Sequence, residues 1–126
     1  MNALLFSIAA CTLVCIFVAC VGTPIEIITD KDVYDVGETV HILIKNKSGK
    51  TIRDSITLRI TDEEGNSVYE ELMMVGWSEL KPRESWECKW DQKSIRQKGS
   101  IEGKYTIWAM TREYKVSKEI EIRSND

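Results

Sequence analysis

His41 and Cys88 are the side chains beyond residue 22 whose types invite nucleophilic chemistry, since a thiolate beside an imidazole can attack a carbonyl or a disulfide. Their neighbours argue against that pairing. Trp86, Cys88 and Trp90 alternate in Ser-Trp-Glu-Cys-Lys-Trp, so a strand would set all three on one face, toward a core. In Thr39-Val-His-Ile-Leu-Ile-Lys45 the apolar set is Val40, Ile42 and Ile44, which leaves His41 on the other face with Leu43 and Lys45. Cys88 is therefore expected to be a buried, unreactive thiol. One histidine and one cysteine cannot close a tetrahedral zinc site. Asp30, Asp32, Asp35 and Glu38 offer oxygens that a calcium ion accepts, but they fall in turn sequence and read as solvated carboxylates. No glycine-rich segment leads from a strand into a helix to cradle a phosphate. The expectation is a chain with no catalytic residue, metal ligand or cofactor, and not an enzyme.

The elements that would position these residues are short strands. After Thr23-Pro24 the chain is a series of β-branched runs separated by turn residues, with no sustained period of 3.6. Ile25 to Thr29, Thr39 to Lys45, Ser55 to Thr61, Ser67 to Leu72, a segment around Trp86 to Trp90, Lys104 to Thr111 and Val116 to Arg123 are the expected strands. Asp62-Glu-Glu-Gly-Asn66 reads as a hairpin turn, and Gln92 to Glu102 as a polar loop. Seven or eight strands on this spacing predict an all-β fold, a β-sandwich of the immunoglobulin type spanning residues 23–126. Charge is mixed, 17 basic against 20 acidic residues for a net of −3, without long blocks of either sign. Nucleic acid, which requires a basic patch to displace counterions, is not an expected partner.

Residues 1–22 are different in kind: they carry no charged side chain and end in Phe17-Val18-Ala19-Cys20-Val21-Gly22. About 20 apolar residues at 1.5 Å each cross a hydrocarbon layer of ~30 Å, so an apolar leader helix is expected here. Phe17 to Cys20 resembles the lipobox of bacterial and archaeal lipoproteins, with Ala19 before the cleavage point, Cys20 as the lipid attachment residue, and Phe17 where leucine is usual. Two other readings stay open: Ala3 to Gly22 kept uncut as a helical anchor, or cleavage elsewhere with release of a secreted domain. All three place the folded part outside the cytoplasm, at the cell membrane or beyond it. Cys11, Cys15 and Cys20 lie inside this leader, so Cys88 has no intramolecular partner in the domain.

A family resemblance enters through Leu80-Lys-Pro-Arg-Glu84, Trp90-Asp-Gln92 and Gly103-Lys-Tyr-Thr-Ile-Trp-Ala109, preceded by Tyr34, Gly37-Glu38, Asn46 and Asp62-x-x-Gly65. These residues resemble, in order, the immunoglobulin-like family named after an intracellular proteinase inhibitor. The resemblance implies the sandwich fold and, as one activity, proteinase inhibition, although no reactive loop can be assigned by residue. Arg83 stands where that family has glycine, which predicts a type I turn without positive φ. Gly103 frees a bend ahead of Tyr105, whose hydroxyl is expected to return to the backbone as a tyrosine corner. Trp108 and Met110 then face away from the core. With Leu43 or Met73 they are expected to form either an exposed apolar patch suited to a protein partner or a face covered by a crossing loop. The function expected is binding or assembly at the cell envelope by a membrane-tethered module, with an accessory subunit of an envelope complex or a proteinase inhibitor as alternatives.

Overall fold

The computed structural model describes residues 23–73, 79–93 and 101–124; residues 1–22, with the expected leader helix and Cys20, lie outside that set. Eight strands run in chain order: β1 Ile25–Thr29, β2 Val33–Asp35, β3 Val40–Asn46, β4 Thr57–Thr61, β5 Ser67–Leu72, β6 Ser85–Trp90, β7 Gly103–Met110 and β8 Lys115–Arg123. They form a three-stranded sheet, β1-β3-β6, and a five-stranded sheet, β2-β8-β7-β4-β5. All neighbours pair antiparallel except β2 and β8, which are parallel. The fold is all-β, and among the described residues no helix is long and apolar enough to cross a membrane.

Alternation of side chains builds the core. Val40, Ile42 and Ile44 of β3 are fully buried, as are Leu58 and Ile60 of β4, Ile107 and Ala109 of β7, and Ile120 and Ile122 of β8. Inner faces of both sheets thus meet in one apolar cluster, the two-layer arrangement of a sandwich. Trp90 fills its centre, with the ring of Tyr105 edge-on at 5.8 Å. At about 25 cal/mol per Å2 of apolar area, side chains of this size supply most of the driving force.

The first strand is divided between the layers. β1 pairs with β3, Ile27 opposite Ile44, and the chain then crosses through Asp30–Asp32 so that β2 pairs with β8, Tyr34 opposite Ile122. Tyr34 is fully buried, and its hydroxyl donates to Asp30 Oδ1 at 2.6 Å while accepting from the Lys31 N–H at 3.0 Å. Three residues are too few for a periodic signal, which is why β2 reads as part of a turn in the sequence. Two other expectations change. Gln92, past the end of β6 in the expected polar loop, is wholly buried, its amide reaching Asp35 O at 3.0 Å and Glu38 O at 2.7 Å. Arg83 adopts φ of 65°, not the negative φ of a type I turn. Pro82 precedes it and Glu84 N–H donates to Lys81 O at 3.0 Å, which makes Lys81–Glu84 a type II turn with arginine in the place that favours glycine.

Candidate functional site

The outer face of the five-stranded sheet carries Trp108 and Met110, two of the residues singled out for partner binding. On β7, Lys104, Thr106, Trp108 and Met110 point outward, since Tyr105, Ile107 and Ala109 point in. Register sets Trp108 beside Arg59 on β4 and Ser117 on β8, and Met110 beside Thr57 and Lys115. Thr57 in turn faces Leu72 of β5, which is 55% exposed. Met110 and Leu72 therefore flank one threonine at the end of the sheet, with Trp108 one row further in.

Trp108 is half-buried, and its covering is specific. The Lys115 ammonium lies 4.4 Å from the ring centre, and the indole N–H donates to Thr61 Oγ1 at 3.0 Å. Arg59 beside it pairs with Glu70 at 3.4 Å, while its Nε is shielded from solvent and has no acceptor among the described residues. A cation over an indole contributes roughly 0.5–1 kcal/mol at an exposed site, little enough for a partner to displace it. The sequence expectation of a bare apolar patch is corrected in two respects. Leu43 lies on the outer face of the other sheet, opposite Glu87 of β6, so it shares no surface with Trp108. Met73 turns inward and packs against the core. Trp108 and Met110 are brought together, and Leu72 joins them.

Cys88 and His41 are kept apart. Cys88 lies opposite Ile42 and faces inward, whereas His41 faces outward with Nδ1 3.5 Å from Glu87 Oε1. The Cys88 thiol donates to Glu71 Oε2 at 3.0 Å, and the Tyr69 hydroxyl donates to the same oxygen at 2.8 Å. Burial and the Glu71 carboxylate push the thiol up to about 12, the reverse of what a nucleophile needs. Burial, with the same carboxylate, raises the Tyr69 phenol as well. This contact joins the edge strands β5 and β6 across the open side of the sandwich. The sequence hides it because a register shift between Ile60 and Thr61 places Ile60 opposite Tyr69 and Thr61 opposite Ser67, skipping Val68. That bulge turns Tyr69 and Glu71 inward, against simple alternation.

The acidic turn residues are separately engaged. Asp30 accepts from Tyr34 and, at 3.3 Å, from the His41 N–H; Glu38 pairs with Lys31; Asp32 pairs with Lys118 at 3.2 Å. Burial works against the Asp30 carboxylate, but the Tyr34 hydroxyl and His41 amide outweigh it and hold the carboxyl below its ordinary value. Among the described residues no three acidic, histidine or cysteine side chains converge on a metal position.

The fold is shared with solved structures at low identity. A cycloisomaltooligosaccharide glucanotransferase from Paenibacillus sp. superposes with a TM-score of 0.56 at 19% identity, over 81% of this chain and 14% of that one. A β-glucosidase from Listeria innocua complexed with isofagomine gives 0.52 at 17% identity, over 80% and 16%. An alkylpurine DNA glycosylase from Pseudomonas fluorescens bound to DNA gives 0.51 at 10% identity, over 78% and 29%. The chain spans less than a third of the length of each, and likeness at these identities is one of fold alone. No protein-family model and no curated protein matches the chain.

Proposed function

We propose that this chain is an extracytoplasmic immunoglobulin-like module, held at a membrane by a lipid on Cys20 or by its uncut leader, that binds a protein partner through the sheet face around Trp108 and Met110. The carrying observation is the uncharged run of residues 1–22, which stops two residues before β1 of a self-contained sandwich. The strand order supports the immunoglobulin-like assignment. Lettered along the chain as A, A′, B, C, C′, E, F and G, the sheets become A-B-E and A′-G-F-C-C′, with the first strand split between layers. Tyr105 opens strand F and its hydroxyl donates to Ile101 O at 2.9 Å, the return contact of a tyrosine corner.

Attachment is tested by mass spectrometry of the amino terminus recovered from native membranes. A lipid on Cys20 is the expected result, and an uncut Met1 in the membrane fraction supports the anchor form of the same reading. Full-length chain dissolved in the cytosol would overturn it. The binding face is tested by crosslinking pull-down from those membranes, with Trp108→Ala alongside wild type and folding followed by circular dichroism. The expected result is loss of a wild-type partner from the folded variant. An unchanged partner set would remove this face from the proposal.

A further inference from the structure

The charge of the domain is divided along its long axis, and the chain enters at the basic end. Pro24 O accepts from the Lys47 N–H at 2.9 Å, so the stem joins the fold beside the connection from β3 to β4. The turn before β6 and the turn from β7 to β8 lie at this same end, as the strand registers require. These loops present Lys47, Lys50, Arg53, Lys81, Arg83 and Arg112, all exposed, against Asp54, Glu79, Glu84 and Glu113. Arg53 pairs with Glu79 at 3.3 Å and Arg112 with Asp54 at 3.6 Å. The side-chain cations of Lys50, Lys81 and Arg83 form no ion pair among the described residues, although the Lys81 backbone N–H donates to Glu84 Oε1 at 3.2 Å. At the opposite end lie Asp30, Asp32, Asp35, Asp62, Glu63 and Glu64, with Lys31, Lys93, Lys104 and Arg123 the cations among them. Arg96 and Lys98 belong to a connection outside the described residues, and Glu38, Asp91 and Glu102 offset them in sequence.

Distance makes this polarity matter. Four residues, Val21 to Pro24, separate Cys20 from β1 and reach at most about 14 Å when extended. Screening in physiological salt acts over about 8 Å, a distance that a fully extended stem exceeds and a half-extended one does not, so the tether lets the basic loops come within the field of the membrane. Between these loops is a hollow of about 660 Å3, lined by Ile52 and Tyr114, with Lys50, Arg53 and Arg112 against Asp54 and Glu113. Tyr114 is 38% exposed there, an amphipathic ring of the kind that settles at headgroup level.

We propose that this end of the sandwich docks on an anionic lipid surface, directing the acidic end away from the bilayer. The inference rests on the tethered reading above. A molecule of net charge −3 is repelled by such a surface in other orientations, so the docked orientation is selected as well as attracted.

The full chain is reconstituted into vesicles of phosphatidylcholine alone and of phosphatidylcholine with phosphatidylglycerol. Lysine acetylation is then followed by mass spectrometry. Lys47, Lys50 and Lys81 are expected to react at least about fivefold more slowly with the anionic lipid, and to recover in high salt. Lys93 and Lys104, at the other end, should not change. Lys50→Glu/Lys81→Glu/Arg83→Glu, all at exposed positions, should restore Lys47 reactivity while the chain still sediments with both vesicles. Equal rates in the two lipids, or protection that survives the triple variant, would overturn docking and leave the tether standing. A chain that sediments with neither vesicle would overturn both.

Discussion

Asn46 shows how one buried polar residue can hold an entire end of the fold. Its side-chain amide donates to Lys50 O at 2.7 Å and Leu80 O at 2.9 Å, and its oxygen accepts from the Ser48 N–H at 3.0 Å. Its backbone accepts from Arg83 N–H and donates to Glu84 O. Asn46→Ala would remove one of two donors from each of the Lys50 and Leu80 carbonyls, Leu80 O keeping the Ile52 N–H and Lys50 O the Ser48 hydroxyl, and would leave the Ser48 N–H without its acceptor, so urea denaturation should show a loss of about 1–3 kcal/mol. Cys88 makes a different prediction. Its thiol is neutral in the folded state up to about 12, against 9.0 for an ordinary thiol, and burial similarly carries Tyr34 from 10.0 to about 12. Unfolded chains release these protons earlier, so the stability contribution is complete below about pH 9 and is lost as pH rises toward 12. Melting temperature should fall across that window, and less steeply in Cys88→Ala. At pH 8 the Cys88 peptide should resist alkylation until denaturant is added. The burial of Cys88 was legible from its alternation with two tryptophans. The Glu71 contact was not, because it depends on a bulge that no residue type announces.

At the scale of elements, the long strands were readable and the short or special ones were not. β3, β4, β7 and β8 each bury alternate residues, and period-two patterning marks them within a residue or two. β2 escapes because its three residues are defined by a partner distant in sequence, β8. The turn before β6 misleads for another reason. Arginine disfavours positive φ, yet hydrogen bonds from Arg83 N–H to Asn46 O at 2.7 Å and from Glu84 N–H to Lys81 O at 3.0 Å impose it. Arg83→Gly should therefore raise stability by about 0.5–1 kcal/mol, measured by the same denaturation. Gly103 obeys the rule instead: its φ is 141°, and a Cβ there would meet Glu63 Oε1 at 3.0 Å. The candidate face was half legible. Alternation gave the outward direction of Trp108, but not Lys115 lying over it or Leu43 on the far side, since both depend on how sheets assemble.

For the whole molecule, the split first strand has a mechanical consequence. β1 and β2 both run from the stem toward the far end, and β8 runs the same way beside β2. Glu121 N–H donates to Asp32 O at 2.9 Å and Val36 N–H to Arg123 O at 3.0 Å, bracketing that parallel pair. Tension between the stem at Thr23 and the end of β8 at Arg123 would draw β2 and β8 in opposite directions along their axes. Their hydrogen bonds then resist together, in shear, as do those between β1 and β3. Optical-tweezer pulling through these two points should meet a higher rupture force than pulling through Thr57 and Leu72, where the β4–β5 hairpin opens one bond at a time. A domain wired in this way stays folded while its two ends are drawn apart, and carries force from one to the other without unravelling.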